Sequence, residues 1–282
     1  MSAAYDCEVI ERPGQNLTTE EQQQLHASLR ALGGLCFDPV PNYQVFATDT
    51  SHAFEDKILV TARQNDALIG FVSVVILDEP KLEHPVIHSG LTCIHPRHRR
   101  SRGVLQQLFG NLYLYLLTTH PKGVWMTTVT DIVSSLVQMS MYTIDNFPSP
   151  ILPTLPTRDA PSNNNLIFEL PAPSAIHLEI ARTFSARHRA KALIAPAAHF
   201  SEADFVFRGS NDHAAAAAFR KDVDAPDHWH RDHEASAFFR GLLRPGTGDE
   251  VLLVGFLDPG FLKGLATSER LGDGWRDRYS KL

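Results

Sequence analysis

The chain has 282 residues, of which 43% are hydrophobic and 21% charged, a composition typical of a globular protein with a substantial buried core. Its formal net charge of -6 argues against nucleic acid or an anionic membrane surface as the partner. No stretch of sequence approaches the roughly 20 apolar residues that a membrane-spanning helix needs.

The three cysteines, Cys7, Cys36 and Cys93, are widely spaced and form no CxxC or Cys/His metal motif. This pattern predicts reduced thiols and gives no reason to expect a bound metal. The first residues, MSAAYDCEVIERPGQ, have neither the basic start nor the apolar centre of a signal peptide. We therefore expect a cytoplasmic protein.

The first elements predicted along the chain are a strand, a helix and a β-hairpin. YDCEVIERPG predicts the strand. LTTEEQQQLHASLRALGG predicts the helix, because Thr18 and Glu21 have capping-box spacing and a Gly-Gly pair ends the segment. KILVTARQ and ALIGFVSVVIL predict two strands joined by a hairpin turn at Asn65 and Asp66.

Four more elements follow as strand, helix, strand and helix. They are predicted over PVIHSGLTCIHP, residues 104–119, GVWMTTVT and DIVSSLVQMSMY. The order up to Tyr142 is thus β-α-β-β-β-α-β-α. It predicts an α/β (α+β) fold with a mixed central sheet flanked by helices, in which the strand–helix–strand crossover is right-handed.

The amino-acid composition of the sequence changes after Tyr142. The segment FPSPILPTLPTRDAPSNNN is rich in proline and asparagine and predicts a surface loop or linker. We expect a first domain at 1–150, a linker at 151–165 and a C-terminal α/β region at 166–282. That region is predicted to hold strands over LIFEL, DFVFRG and DEVLLVGFL, and helices over AIHLEIARTFSARHRAKALIA, DHAAAAAFRKD and HEASAFFRGLL.

The most informative segment is GLTCIHPRHRRSRGVLQQLFGNLYLYLL, where arginines cluster between a predicted strand and a predicted helix. The first turn of a helix has unpaired N–H groups and a positive dipole end, which together bind phosphate. Gly103 stands at that turn, where the backbone can approach a ligand closely. The arginines of residues 97–102 would add charge-assisted bonds to phosphate oxygens. The cluster indicates a diphosphate pocket; the alternative is an ordinary solvated helix start.

The same segment resembles the acyl-CoA-binding motif of the GNAT acetyltransferase superfamily. In that motif a strand ends in an apolar-x-Pro step and runs into Arg/Gln-x-x-Gly-x-Gly/Ala, whose loop amides hold the pyrophosphate of acetyl-CoA. Here the Arg-x-x-Gly is residues 100–103, while Leu105 stands where the family usually has Gly or Ala. The loop after Pro96 is also one residue longer than is common. The resemblance spans about residues 57–142 and implies a GNAT-like fold.

The resemblance continues into the next predicted helix, where the family often carries Asn-x-x-Ala-x-x-x-Tyr. Ser135, Gln138 and Tyr142 fall at that spacing, so only the tyrosine is kept. The implied cofactor is acetyl-CoA or another acyl-CoA. The residues implied in binding it are Cys93, Ile94, Arg99, Arg100, Ser101, Arg102, Gly103, Val104 and Ser135. Cys93 is expected to pack beside the cofactor and not to act as a nucleophile.

The resemblance also implies direct transfer of an acyl group from CoA to an amine. Tyr142 matches the usual general acid, and its ordinary pKa of about 10 suits proton donation to a thiolate. For the base we favour His88, with Glu83 as the alternative and Glu79 as a weaker one. Residues 91–94 match the strand whose backbone N–H stabilises the thioester oxygen.

The acceptor expected from this chemistry is a small amine, with the C-terminal region completing its site. Two other hypotheses stay open. One is different acyl-CoA chemistry, such as O-acyl transfer or decarboxylation. The other is a non-catalytic CoA-sensing or partner-binding module, because a fold does not by itself confer activity. A homodimer is compatible with the sequence, which does not fix the oligomeric state.

A second cluster, DAPDHWHRDHE, contains His228, His230 and His233. No recognised metal spacing such as HExxH is present, so we expect no metal here. The segment is interpreted as a solvated loop, with substrate lining as the alternative.

Overall fold

A computed structural model of the protein describes residues 5–99, 102–149, 170–216, 218–222, 224–225 and 229–265. Only the backbone is described for Ser51, His52 and Arg102. The helices are α1 (Pro13–Asn16), α2 (Thr19–Gly34), α3 (Thr50–Phe54), α4 (Arg102–Thr119), α5 (Val133–Tyr142), α6 (Ala175–Thr183), α7 (His233–Leu242) and α8 (Pro259–Leu265). The strands are β1 (Asp6–Glu11), β2 (Lys57–Gln64), β3 (Ala67–Leu77), β4 (Val86–Ile94), β5 (Val124–Thr130), β6 (Ile144–Phe147), β7 (His199–Ser201), β8 (Val206–Arg208) and β9 (Glu250–Leu257).

The chain divides into two compact units. Unit one is drawn from Met1–Thr127 and Phe256–Leu282, and unit two from Thr128–Gly255. The predicted first domain, 1–150, extends past this division. The difference arises because α5 contacts α7, and β6 pairs with β9, so both elements belong with unit two. Most of the predicted linker at 151–165 lies outside the described residues.

The sheet of unit one has the strand order β1-β2-β3-β4-β5. The first four strands pair antiparallel, with Val9 opposite Val60 in β2. β4 and β5 pair in parallel, because α4 connects them in a crossover. The predicted mixed sheet flanked by helices is confirmed.

The local signals in unit one are also confirmed. At the start of α2, Thr18 Oγ1 accepts a hydrogen bond from the Glu21 N–H at 3.3 Å, and Glu21 Oε2 accepts one from the Thr18 N–H at 2.8 Å. At the hairpin between β2 and β3, Asn65 and Asp66 have φ values of 49° and 64°. Two successive left-handed residues are what a type I′ hairpin turn requires.

Helix α4 packs its apolar face on this sheet. Val104, Leu108, Leu112 and Leu116 recur at helical spacing and are fully buried. The approach is close: a Cβ added to Gly70 of β3 would lie 3.0 Å from Val104 Cγ1. A glycine at this point of β3 therefore fixes how near the first turn of α4 comes to the sheet.

In unit two, β9 pairs with β6 and, antiparallel, with β8, which pairs antiparallel with β7. Its core is rich in aromatic rings that are almost fully buried, namely Phe147, Phe184, Phe205, Phe207, Phe238 and Phe239. The helix predicted from residue 175 is α-helical to Thr183 and continues as a π-helical turn at Phe184–His188.

The helix predicted over DHAAAAAFRKD is wrong. Its described part holds a 3-10 turn at Ala214–Ala216. His213 Nε2 bonds to the Leu193 carbonyl at 2.9 Å, and the Lys221 N–H donates to Asp131 Oδ2 at 2.9 Å. These tertiary bonds outweigh the helix propensity of alanine. The strand predicted over LIFEL lies outside the described residues apart from Leu170.

Candidate active site

The central feature of unit one is a bulge in β4. Val72 of β3 pairs with Thr92, and Val74 pairs with Ser89. One residue of β3, Ser73, therefore faces two residues of β4, Gly90 and Leu91. A bulge of this kind bends the strand and disrupts the ladder locally, and bulges are frequent next to active sites.

Just before the bulge, β4 leaves its parallel partner. The ladder with β5 covers three pairs, from Val86 with Trp125 to His88 with Thr127. β4 itself runs on to Ile94. Peptide groups of residues 89–94 thus lie outside the β4–β5 ladder. Main-chain N–H groups in such a position can bind an oxygen of a ligand.

Gln44 packs on this bulge. Its side-chain amide accepts a hydrogen bond from Ser73 Oγ at 3.4 Å and donates one to Tyr43 Oη at 3.0 Å. A Cβ added to Gly90 would lie 1.9 Å from Gln44 Nε2. The missing side chain at Gly90 therefore makes room for a buried amide from a residue far away in sequence. No sequence signal pointed to Gln44.

Replacing Gly90 tests this contact. Gly90→Ala should displace the Gln44 amide from Ser73 and lower the free energy of unfolding by about 1–3 kcal/mol, the cost of a lost buried hydrogen bond plus overpacking. Gly34→Ala is the matched control, because its nearest neighbour is a Val40 methyl group at 3.9 Å. Urea unfolding of both variants measures the difference. Equal stability of Gly90→Ala and wild type would contradict the packing described.

His88, the predicted base, is 1% exposed in the middle of the sheet. Its Nδ1 lies 3.1 Å from Thr127 Oγ1, which lies 3.5 Å from the Ile87 carbonyl. A histidine buried this deeply does not touch a substrate directly. It can exchange a proton with the site only through a relay, and the Thr127 hydroxyl is the first described member of one.

Glu83 lies in the loop before β4, at the opposite end of that strand from the predicted phosphate loop. Its side chain is 76% exposed, and its Oε1 lies 4.0 Å from Lys122 Nζ. Unit one therefore does not bring Glu83 together with Ile94 or Gly103. Glu79, the weaker alternative, is on the same connection between β3 and β4.

The C-terminal end of β4 leads into the basic segment through a 3-10 turn at Pro96–His98. Arg99 folds back, and its Nε donates to the Ile94 carbonyl at 3.2 Å. The predicted phosphate ligands Arg100 and Ser101 lie outside the described residues, and the side chain of Arg102 is not described. Of the predicted arginine ligands, the structure therefore locates the side chain of Arg99.

The first turn of α4 carries the predicted Gly103. Among the described residues, only the ring of Tyr5 would come within 4 Å of a Cβ added there, at 3.4 Å. Protein packing thus gives little reason for a glycine at this position. Val104, also predicted in the cofactor site, has a fully buried side chain, so only its main chain is suited to contact a ligand. Leu105 is 39% exposed.

Cys93, predicted beside the cofactor, is 2% exposed on β4. Cys36, in the turn after α2, reaches the next residue of the same strand, because its sulfur is 3.6 Å from the Ile94 carbonyl oxygen.

The remaining predicted site residues are on α5 in unit two. Tyr142 is its last residue, and burial raises the pKa of its phenol above the ordinary value. The phenol therefore keeps its proton at neutral pH. Ser135 lies in the first turn and accepts a hydrogen bond from Thr130 Oγ1 at 3.3 Å.

Unit two also contains a buried carboxyl group that sequence analysis missed. Glu250 of β9 is 7% exposed, and Ser210 Oγ donates to its Oε2 at 2.5 Å. Burial raises the pKa of Glu250 to about 8; the Ser210 hydrogen bond lowers it, and the charge of the buried Asp131 raises it further. Because strands often begin with a charged residue, the sequence does not indicate that the glutamate at the start of β9 is buried.

Stability should depend on this carboxyl. Between the ordinary pKa near 4.5 and the folded pKa near 8, the unfolded chain loses the proton while the folded chain keeps it. The free energy of unfolding therefore falls as pH rises through this window, by up to ~1.4 kcal/mol per pH unit. Glu250→Gln removes the titration, so its advantage over wild type should grow by a few kcal/mol between about pH 5 and 8.

Urea unfolding at several pH values checks this prediction. The exposed Glu20→Gln should follow the wild-type pH profile and serves as the control. Parallel profiles for Glu250→Gln and wild type would show that Glu250 titrates normally.

Among the described residues, no group of three or more His, Cys, Asp or Glu side chains is arranged to hold a metal ion. In the His-rich segment, His230 Nδ1 accepts from the Asp232 N–H at 3.0 Å, and His228 is outside the described residues. Over the same ranges, no helix combines the length and apolarity needed to span a bilayer.

No family model matches the chain, and no curated protein matches it. Solved structures do match. Escherichia coli ElaA is 17% identical, with coverage of 52% of this chain and 89% of ElaA and a TM-score of 0.38. A ribosomal-protein-alanine N-acetyltransferase from Brucella melitensis biovar Abortus 2308 is 19% identical, with coverage of 39% and 69% and a TM-score of 0.27. An acetyltransferase from Vibrio fischeri is 16% identical, with coverage of 44% and 93% and a TM-score of 0.30.

The fold is GNAT-like. The features of this chain that define the fold are the mixed sheet, the parallel β4–β5 pair and the α4 crossover that begins at the Arg-x-x-Gly motif.

Proposed function

We propose that the protein is an acyl-CoA-dependent N-acyltransferase that uses acetyl-CoA and a small amine. The observation that carries the proposal is the course of β4. The strand bulges at Gly90, leaves the ladder with β5 after His88, and leads within ten residues to a helix start at Gly103. This places the main chain of β4 beyond its ladder with β5 and the first turn of α4 along one path, which suits a thioester oxygen and a diphosphate.

At the helix start, the N–H groups of the first turn of α4 would hold the diphosphate of the cofactor. The positive end of the helix dipole and the surrounding arginines favour an anion there. Cys93 and Ile94 would lie along the pantetheine arm, and no metal is required. Ser135 replaces the asparagine of the family and would contact the cofactor less extensively.

During transfer, the amine attacks the thioester carbon, and the carbon–sulfur bond then breaks. The amine must lose a proton, which we assign to His88 acting through the Thr127 hydroxyl. The leaving thiolate must gain one, which we assign to Tyr142, because its raised pKa keeps the phenol protonated.

The proton relay makes a prediction of its own. His88→Gln and Thr127→Val should each lower kcat/KM about tenfold or more, and the double variant should lose little beyond either single one, since both interrupt one path. Steady-state kinetics with acetyl-CoA and a panel of primary amines measures this. Additive losses would instead place the two residues in separate roles.

A second candidate is a CoA-binding module without catalysis. Two observations favour it: the burial of His88 and the exposed Leu105 where relatives have Gly or Ala. Thermal unfolding with and without acetyl-CoA tests binding, because a ligand at 100 times its Kd adds about 2.7 kcal/mol of stability. Stabilisation with CoA release in the presence of amines supports the enzyme. Stabilisation without CoA release supports the module, and no stabilisation contradicts both.

A further inference from the structure

Unit two contains a pocket to which the proposed acyl transfer assigns no role. It has a volume of about 400 Å³ and is lined by residues of α6, of the π-helical turn that follows it and of β7. Ser185 and Ala186 come from the π-helical turn, and His199 and Phe200 come from β7. Pockets of roughly 300–1,000 Å³ hold small organic ligands, and π-helical turns are frequent at functional sites.

Arg189 is a cation that the fold holds in place at this pocket. Its Nε donates to the Ser185 carbonyl at 2.7 Å, its Nη1 to the Ala198 carbonyl at 2.6 Å and its Nη2 to Ser185 Oγ at 2.9 Å. The guanidinium also lies over the Phe207 ring, 5.4 Å from the ring centroid. Because these contacts fix the side chain before any ligand arrives, binding costs little of its conformational entropy.

No carboxylate balances the charge of Arg189 among the residues that the structure describes. The three acceptors of its hydrogen bonds are neutral oxygens of Ser185 and Ala198. A guanidinium has five N–H donors, so one on Nη1 and one on Nη2 remain available. Two donors on neighbouring nitrogens can pair with the two oxygens of a carboxylate, which is a preferred partner of arginine.

The other charges of the lining favour a monoanion. Arg182 and Glu202 neutralise each other in a bidentate pair, in which Nε–Oε1 is 2.8 Å and Nη2–Oε2 is 2.7 Å. With that pair cancelled, Arg189 leaves the lining with a single positive charge when His199 is neutral. A dianionic phosphate ester would exceed this charge and would also face the Glu202 carboxylate. The half-buried Phe200 ring adds an apolar surface.

We propose that this pocket binds a small organic monocarboxylate, with the carboxylate on Arg189 and an apolar group against Phe200. The site goes beyond the proposed acyl transfer, and its test requires neither acetyl-CoA nor an amine. Failure of one proposal therefore leaves the other standing.

Titration of the isotope-labelled full chain with benzoate near pH 7, followed by NMR, tests the proposal. Benzoate should shift the amide resonances of Ser185, Ala186 and His199 in a saturable way. Inorganic phosphate should bind at least about tenfold more weakly, because it lacks the apolar group and carries more charge. Benzyl alcohol has the ring without the charge and should cause no saturable shift. Phosphate binding as tight as benzoate binding, or an equal response to benzyl alcohol, would overturn the assignment.

Two exposed alanines supply a matched pair of variants. Ala186→Glu places a carboxylate at the pocket without removing any atom that Arg189 contacts, and it should weaken benzoate binding about tenfold or more. Ala190→Glu makes the same charge change at an exposed residue outside the lining and should bind benzoate within about twofold of wild type.

Arg189→Gln should abolish benzoate binding, and its thermal unfolding shows whether the variant is folded. If it is unfolded, the comparison of Ala186→Glu with Ala190→Glu decides. Wild-type affinity in Ala186→Glu, or the absence of any saturable shift in the wild-type chain up to about 20 mM benzoate, would contradict the proposal.

Discussion

Tyr142→Phe is expected to lower kcat at least about 100-fold, while acetyl-CoA binds within about twofold of its wild-type affinity. The variant removes one hydroxyl from the end of α5 and keeps the ring, so the packing of the helix is retained. In the proposed reaction, that hydroxyl protonates the leaving CoA thiolate. Without it, the poor leaving group departs as a free anion, and the loss falls on the chemical step.

The matched control is Tyr115→Phe. This variant also removes one tyrosine hydroxyl, which in Tyr115 donates a hydrogen bond to Glu11 Oε2 at 2.6 Å in unit one. It should leave kcat unchanged. CoA release with the most active amine of a panel measures both variants. A kcat for Tyr142→Phe within about threefold of wild type would remove Tyr142 from the general-acid role.

Gly103→Val is expected to weaken acetyl-CoA binding about 100-fold without unfolding the protein. A side chain at this position meets little in the described part of the fold, so the helix start should tolerate it. It would, however, stand where the diphosphate approaches the first-turn N–H groups. Losing two charge-assisted hydrogen bonds costs about 3 kcal/mol, which corresponds to roughly a hundredfold change in Kd.

Gly241→Ala in α7 is the control for the backbone effect of replacing a helical glycine, because no atom lies within 4 Å of an added Cβ there. Calorimetric titration with acetyl-CoA and thermal unfolding separate affinity from stability. Unchanged affinity for Gly103→Val would show that the diphosphate does not approach this turn.

Much of unit one could be predicted because its signals are local. The capping box of Thr18 with Glu21, the hairpin at Asn65-Asp66 and the apolar spacing of α4 each depend on neighbours within a few residues. The mixed sheet followed from the order of these elements and from the right-handed crossover rule.

The missed features depend on contacts between distant residues. Gln44 packs on the bulge of β4, and the Cys36 sulfur contacts the Ile94 carbonyl, although nothing near Gln44 or Cys36 in the sequence indicates these contacts. The helix predicted for the alanine-rich segment after Asp212 was wrong for the same reason, since hydrogen bonds to Leu193 and Asp131 determine the conformation of that segment. His88 was correctly placed on β4, but a sequence does not reveal which strand residues are covered on both sides.

The most direct test of the account is hydrogen exchange at residues 102–105 with and without saturating acetyl-CoA. First-turn amides of a helix have no intrahelical acceptor and should exchange fast in the free protein. We predict that acetyl-CoA slows their exchange and that a pantetheine thioester, which lacks the diphosphate, does not. If calorimetry shows the protein saturated with acetyl-CoA while these amides exchange as fast as before, the diphosphate is held elsewhere and the proposed cofactor site is wrong.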